Sequence, residues 1–191
     1  MARKKETAAL PPNAVYQIKV TLRGVRPPIW RRLLVGDNVT LHQLHAVIQA
    51  AMGWHDTHLH RFTVDGELYG EPSTEGFYRV KDDRKTTLVE VAPAAKSKLR
   101  YEYDLTAQWE HDVEVEAVLP VTPDQALPRC VVGKRACPPE GVGGAWGYAA
   151  LLEAMKNPRH PERQRFAKLI ETYQPDKFDL AEANRRLAQH R

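Results

Sequence analysis

The sequence has little of what marks the easily recognised classes of protein. Its 191 residues include only two cysteines, too few for the disulfide framework of a small secreted domain. No apolar run approaches the roughly 18 residues of a membrane-spanning helix, and no Gly-rich phosphate loop, zinc-finger spacing or heptad repeat is present. We therefore expect a cytoplasmic protein that contacts no membrane, with its cysteines as thiols or metal ligands.

Basic residues are concentrated at the N-terminal end. The net charge is +4, yet residues 1–35 carry eight Lys and Arg against one Glu. Residues 1–13 have no apolar periodicity and end at two prolines, which predicts a disordered basic arm. The arm favours contact with nucleic-acid phosphates, together with the arginines that follow it, Arg23, Arg26, Arg31 and Arg32.

Residues 14–120 have the patterns of strands, interrupted by one helix. Apolar residues at 15–22 and at 29–35 predict two antiparallel strands separated by two prolines. The capping box Thr40-Leu-His-Gln43 begins an amphipathic helix that Gly53 ends, and its apolar stripe must lie on the sheet.

The clearest strands form a hairpin. Residues 99–105 and 109–119 alternate apolar with charged side chains across a short connection. The same alternation places Trp109 and His111 on the inward face of the second strand.

Histidines occur in pairs at two places. A strand that begins at His58 would put His58, His60 and Phe62 on one face. On the predicted helix, His42 and His45 are three residues apart and could share a face. We interpret this second pair as surface or flanking residues, because the helix offers no carboxylate at a spacing that would complete a ligand set.

The C-terminal part changes character. Residues 130–148 hold both cysteines, are rich in Gly and Pro and have no apolar period, which predicts an irregular loop. Residues 149–191 have helical patterns. The expected fold class is α+β: a mixed, mainly antiparallel sheet packed by one N-terminal helix, with a helical C-terminal third, in a single domain spanning residues 14–191.

Several short motifs carry a family resemblance. They are Pro-Pro-Ile-Trp-Arg-Arg at 27–32 with Met-Gly-Trp at 52–54, His-Leu-His-x-Phe at 58–62, Trp-Glu-His at 109–111 and Lys-Arg-Ala-Cys-Pro-Pro-Glu at 134–140. Together they resemble the plasmid pRiA4b ORF-3-like proteins, from about Tyr16 to Leu187. The resemblance implies an α+β domain encoded on plasmids or beside mobile elements, and it implies a fold more than an activity. Val142 stands where the family has Cys, and Ala107 where it has Asp, so each removes a potential ligand or acid.

The residues that could carry chemistry fall in three of these segments. They predict a pocket lined by His58, His60, Trp109, Glu110, His111, Cys137 and Glu140. Thiolates and imidazoles could instead hold zinc tetrahedrally, with ligands drawn from Cys130, Cys137, His58, His60 and His111. The six residues between the cysteines exceed the usual ligand spacing, so we favour a domain without a cofactor, in which the thiols are buried and the histidines hydrogen-bond to neighbours.

Three classes of function remain open. We favour a non-catalytic binding or adaptor module whose partner is nucleic acid or another protein. The alternative is an enzyme, either a metal-assisted hydrolase built from the three segments or one with Cys137 as nucleophile and a nearby histidine as base. A cysteine before two prolines lacks the helix N-terminus that lowers a thiol pKa, which speaks against the nucleophile. The third class is a purely structural interaction protein.

Overall fold

The computed structural model describes residues 14–72, 79–123 and 125–190, and the predicted basic arm lies outside these ranges. Within them, eight strands form one sheet. The strands are β1 (Ala14–Leu22), β2 (Trp30–Gly36), β3 (His60–Val64), β4 (Glu67–Gly70), β5 (Val80–Asp82), β6 (Lys98–Tyr103), β7 (Trp109–Pro120) and β8 (Arg129–Lys134). Their spatial order is β5-β4-β3-β6-β7-β1-β2-β8, and every neighbouring pair is antiparallel except β4 with β5.

Five helices accompany the sheet in the described part of the chain, which makes the fold mixed, with a mainly antiparallel sheet. The helices are α1 (Leu41–Met52), α2 (Leu88–Val91), α3 (Gly144–Lys156), α4 (Ala167–Thr172) and α5 (Leu180–Leu187), the last followed by a short 3₁₀ turn at Ala188–His190. None of them is long and apolar enough to cross a lipid bilayer.

The sheet is organised around β1. It pairs with β2 on one side and with β7 on the other, so both of its backbone edges are hydrogen-bonded. All of its apolar side chains are buried. The predicted β1–β2 pair and the β6–β7 hairpin are both confirmed. Trp109 and His111 are 2% and 0% exposed, as the alternation along β7 predicts.

The ends of α1 are set by local chemistry. The Thr40 hydroxyl accepts from the amide of Gln43, and the Gln43 side chain accepts from the amide of Thr40, which confirms the capping box. Gly53 ends the helix with φ 93°, a left-handed conformation that favours glycine. A residue distant in the chain also contacts the C-terminal end of α1: Arg31 of β2 donates from Nε to the carbonyl of Ala51 over 3.0 Å.

Two sequence predictions were wrong in extent. Residues 130–148 are not irregular throughout, because β8 pairs with β2 and α3 begins at Gly144. Pairing with a distant strand, which no local pattern records, orders residues 129–134. In addition, β3 begins at His60, so His58 lies outside the alternation that would have placed both histidines on one strand face.

Candidate metal site

Two histidines and one aspartate meet where α1, β3 and the residue after β5 converge. His42 lies in the first turn of α1, His60 begins β3, and Asp83 follows β5. The backbone holds Asp83 in place: the amide of His42 donates to the carbonyl of Asp83 over 3.2 Å, and the amide of Asp83 donates to the carbonyl of Gly70 over 3.2 Å. We call His42, His60 and Asp83 the histidine cluster.

The distances within the histidine cluster suit a single metal ion. Oδ2 of Asp83 is 2.8 Å from Nε2 of His60 and 3.7 Å from Nδ1 of His42. One ligand atom from each residue lies within 4.8 Å of the other two. Ligand atoms that each lie about 2.1 Å from an ion are roughly 3.0–3.4 Å apart at octahedral or tetrahedral angles. The observed separations bracket this range, so small side-chain movements would complete three bonds to one ion.

Asp83 is buried with half of its carboxylate unsatisfied. The residue is 1% exposed, and Oδ1 has no hydrogen-bond partner among the described residues. Burial acts to raise the pKa of Asp83, but the hydrogen bond from His60 and the nearby His42 and Arg84 outweigh it, so the pKa lies below its ordinary value. Asp83 is therefore a buried anion with one oxygen free to bind a cation.

His45 contacts the histidine cluster through the ring of His60. Its ring stacks on that of His60, with centroids 3.5 Å apart and planes 5° from parallel. Nδ1 of His45 is 2.7 Å from the Tyr101 hydroxyl, and Nε2 is 2.7 Å from Oδ1 of Asp56. Because the Asp56 carboxylate can only accept, Nε2 of His45 donates to it. In the neutral ring Nδ1 then accepts from the Tyr101 hydroxyl, whose oxygen accepts from Gln49. Burial first, and then the proximity of His60, lower the pKa of His45 to about 4, so a neutral ring supports His60.

A cavity of about 180 Å³ lies beside the histidine cluster. His58, Leu59, Glu71 and Arg84 complete its walls. Glu71 and Arg84 form an exposed ion pair at 3.8 Å, so the opening carries one charge of each sign. The volume admits a few water molecules or one small chemical group.

The structure separates the predicted pocket residues. His58 and His60 line this cavity, but His58 is half exposed and lies 3.7 Å from Asp104, outside the cluster. Trp109 and His111 are in the core, where neither ring nitrogen of His111 has a hydrogen-bond partner among the described residues.

Glu110, also predicted to line the pocket, is turned away from it by the alternation along β7. Its carboxylate pairs with Arg100 at 2.9 Å and with Arg23 at 3.0 Å. This ion-paired position gives Glu110 no contact with the histidine cluster.

The cysteines lie in a different region from the histidine cluster. Burial raises the pKa of Cys130 to about 11 and that of Cys137 to about 12, so both are neutral thiols near pH 7 and poor nucleophiles. Glu140 accepts from the Tyr103 hydroxyl over 2.7 Å and lies 2.7 Å from Nδ1 of His55. Of the five predicted zinc ligands, only His60 belongs to a group of three ligand atoms within the described residues.

The four arginines predicted to contact nucleic acid differ in environment. Arg23 pairs with Asp112 as well as Glu110, and Arg32 pairs with Glu116, while Arg26 is exposed. Arg31 is 2% exposed, too buried to meet a nucleic-acid backbone at the surface. Acidic partners on β7 therefore offset the charge of two of the four arginines, Arg23 and Arg32.

Sequence reasoning missed three residues of the site and its surroundings. His42 and His45 were interpreted as surface residues, although their spacing on one helix face was the available signal. Asp83 gave no signal, because it follows a three-residue strand that pairs in parallel with β4.

Comparison with known proteins places the chain in a family. The family model for plasmid pRiA4b ORF-3-like protein matches residues 14–182. The chain belongs to the plasmid pRiA4b ORF-3-like family. It is 35% identical over 172 residues to the uncharacterized protein y4hQ of Sinorhizobium fredii, a match that covers 90% of this chain and 87% of that protein.

A solved structure shares the fold of this plasmid pRiA4b ORF-3-like protein. The crystal structure of the protein of unknown function MM3350 from Methanosarcina mazei Go1 superposes with a TM-score of 0.77 at 33% sequence identity. The match covers 89% of this chain and 97% of that one. The family resemblance inferred from the motifs is therefore confirmed.

Proposed function

We propose that this protein binds a divalent transition-metal ion through His42, His60 and Asp83. The observation that supports the proposal most is the buried carboxylate of Asp83, whose Oδ2 lies 2.8 Å from Nε2 of His60 and 3.7 Å from Nδ1 of His42, while Oδ1 has no hydrogen-bond partner among the described residues. An ion bound by this carboxylate and the two imidazoles would place a full positive charge beside the buried anion.

The donor set indicates the class of metal. Two imidazoles and one carboxylate suit zinc and the other first-row ions such as iron, cobalt and manganese, and they do not suit calcium, which prefers oxygen ligands. Stacking on His45 fixes the plane of His60, so that ring is already oriented before an ion arrives.

The number of ligands bears on the chemistry. Three protein ligands leave a coordination position for water, which is the arrangement that hydrolytic metal sites use. The cavity of about 180 Å³ provides space at that position. A metal-assisted hydrolase is therefore the enzymatic form of the proposal, with a ligand set different from the one that the sequence motifs suggest.

Titration calorimetry on chelator-treated protein tests the site. We expect zinc or cobalt to bind at one ion per chain, and Asp83→Asn and His42→Ala to weaken binding by about 100-fold or more, because the first removes the charge of the carboxylate ligand and the second removes an imidazole ligand. His58→Ala is the matched control, since His58 lines the same cavity but belongs to no ligand group among the described residues.

The result can also contradict the proposal. No saturable binding by the wild-type protein, or equal affinity in folded Asp83→Asn, would remove the assignment. His42 is 42% exposed in its side chain, so its variant should fold, as thermal unfolding can verify.

A nucleic-acid-binding module remains a prediction that depends mainly on the arm at residues 1–13. The described residues add little to it, because Arg31 is buried and both Arg23 and Arg32 pair with carboxylates. Metal binding at the histidine cluster is compatible with a binding role as well as with a catalytic one.

A further inference from the structure

Arg31 is a buried cation on β2. The residue is 2% exposed, although arginine is almost never fully buried without a partner of opposite charge. Among the described residues no carboxylate lies within ion-pair distance of it. Burial lowers the pKa of Arg31, and the ionisable groups that oppose this effect are Cys137, Cys130 and Tyr173. Burial raises the pKa of each of these three groups, so all of them are neutral near pH 7.

The donors of Arg31 are only partly used. Nε donates to the carbonyl of Ala51 over 3.0 Å, and Nη1 donates to the carbonyls of Trp30 and Lys134 over 2.9 and 3.1 Å. Nη2 makes no hydrogen bond within the described residues. Three backbone carbonyls orient the guanidinium group, and that of Ala51 carries part of the negative charge at the end of α1. No full negative charge offsets the buried arginine within the described residues.

The structure around Arg31 keeps this side chain in place. The ring of Phe178 covers the guanidinium group, with its centroid 4.0 Å from Cζ. Gly133 makes this contact feasible, because a Cβ there would lie 2.6 Å from Phe178 and 2.8 Å from the Arg31 side chain. The guanidinium group is therefore covered on one face and fixed at two nitrogens.

Arg31 lines a cavity of about 540 Å³, larger than the one beside the histidine cluster. We call it the Arg31 cavity. Trp54, Tyr173 and Phe178 give it aromatic walls, and the exposed Lys177 lies at its rim. The size and mixed lining are typical of sites for small organic molecules.

The acidic residues of the Arg31 cavity are already engaged elsewhere. Glu140 binds the Tyr103 hydroxyl and His55, and Glu182 pairs with Arg186. Asp179 accepts from the amide of Glu182 as the cap of α5. None of the three is within ion-pair distance of Arg31, so the net character of the buried end is positive.

We propose that the Arg31 cavity binds a small organic oxyanion, in which an oxygen of a carboxylate or phosphate group accepts from Nη2 of Arg31 and an aromatic body packs against Trp54, Tyr173 and Phe178. A hydrogen bond from a guanidinium N–H to an anionic oxygen is charge-assisted and is therefore stronger than one between neutral groups. The proposal is independent of the metal site, because no member of the histidine cluster lines this cavity.

Calorimetry with simple probes tests the proposal on the full-length protein. The probes are benzoate, phenyl phosphate, inorganic phosphate and neutral benzamide. We expect one or both aromatic anions to bind at one per chain, and benzamide to bind at least about tenfold more weakly, since it forms no charge-assisted hydrogen bond with Arg31. The relative affinity of benzoate and phenyl phosphate then identifies which oxyanion the site accepts.

Two variants form a matched pair. Arg31→Gln should weaken binding of the preferred anion by about tenfold or more, whereas Arg32→Gln should leave it unchanged, because Arg32 pairs with Glu116 away from the cavity. Equal binding of benzamide, or an unchanged affinity in Arg31→Gln, would overturn the proposal.

Because Arg31→Gln could unfold the protein, a second readout uses the wild type. The Nε–H resonance of Arg31 should shift on saturation with the aromatic anion and remain in place with benzamide. If neither anion shifts that resonance, the proposal fails whatever the variants show.

Discussion

The histidine cluster and the Arg31 cavity each contain a buried charged side chain, and the two charges are of opposite sign. In the first, Oδ1 of the buried Asp83 carboxylate has no donor in the part of the chain that the structure describes. In the second, a buried guanidinium group of Arg31 lacks an anion within the described residues, although three carbonyls accept its protons. The same rule, that buried charges require compensation, therefore predicts a cation at one place and an anion at the other.

The difference also shows which residue types were misleading. Cysteine is a common zinc ligand, yet neither cysteine belongs to a group of three potential ligand atoms among the described residues. The proposed ligands are two histidines and an aspartate that are close only in space. In this protein the candidate sites were therefore located by buried charged side chains that lack a partner, and not by residue type or by spacing in the sequence.

The largest expected effect comes from removing Trp54, an aromatic wall of the Arg31 cavity that does not belong to the histidine cluster. Trp54 lines the Arg31 cavity, donates from Nε1 to the carbonyl of Pro138 over 3.0 Å, and stacks on Tyr103 at 5.1 Å. We expect Trp54→Ala to lower the free energy of unfolding by about 3–5 kcal/mol in urea titration, because it leaves a large cavity.

Trp146 provides the control for that measurement. It is 90% exposed, so Trp146→Ala should change the free energy of unfolding by no more than about 0.5 kcal/mol. If the two variants were equally stable, Trp54 would not stabilise the wall of the Arg31 cavity.

A second test concerns His111, a buried histidine without a carboxylate partner. Burial lowers its pKa from 6.5 to about 4, although the backbones of Tyr101 and Trp109 and the charge of Asp112 act to raise it. The unfolded chain therefore binds the proton more readily than the folded one. The contribution of neutral His111 to the free energy of unfolding is complete above about pH 6.5 and is lost as the pH falls to about 4. The loss attributable to His111 is up to about 3 kcal/mol.

His111→Leu should reduce that pH dependence. The free energy of unfolding would fall less between pH 6.5 and 4 in the variant, and at pH 7 it should be similar to wild type because neither ring nitrogen makes a hydrogen bond of ordinary geometry within the described residues. His45, whose pKa is also lowered to about 4, leaves a residual slope. An unchanged slope in the variant would show that His111 is not the titrating group.

The test with the smallest expected effect compares ligand binding at the two regions in one variant. Gly133→Ala would push Phe178 away from Arg31, and we expect a loss of about 1–3 kcal/mol in unfolding free energy from overpacking. Anion binding in the Arg31 cavity should weaken, whereas metal affinity at the histidine cluster should remain unchanged. A parallel loss at both sites would mean that the regions are coupled.

Local patterns in the sequence predicted much of the fold. The capping box of α1, its glycine end and the β6–β7 hairpin depend on neighbouring residues or on a short connection, so they could be recognised directly. The motifs also predicted the family, which the match over residues 14–182 confirms. Strand β8 escaped prediction because its order comes from pairing with β2, about a hundred residues earlier in the chain.

By itself, then, the sequence determined the element types with strong local periodicity, the inward position of His111 and the family. Only the tertiary structure decided the sites. Asp83 joins His42 and His60 because short strands and backbone hydrogen bonds bring three separate segments together. Arg31 became a buried cation because α1, β8 and Phe178 close around it. Burial and the balance of charge belong to the packed molecule, since residues distant in the chain create both.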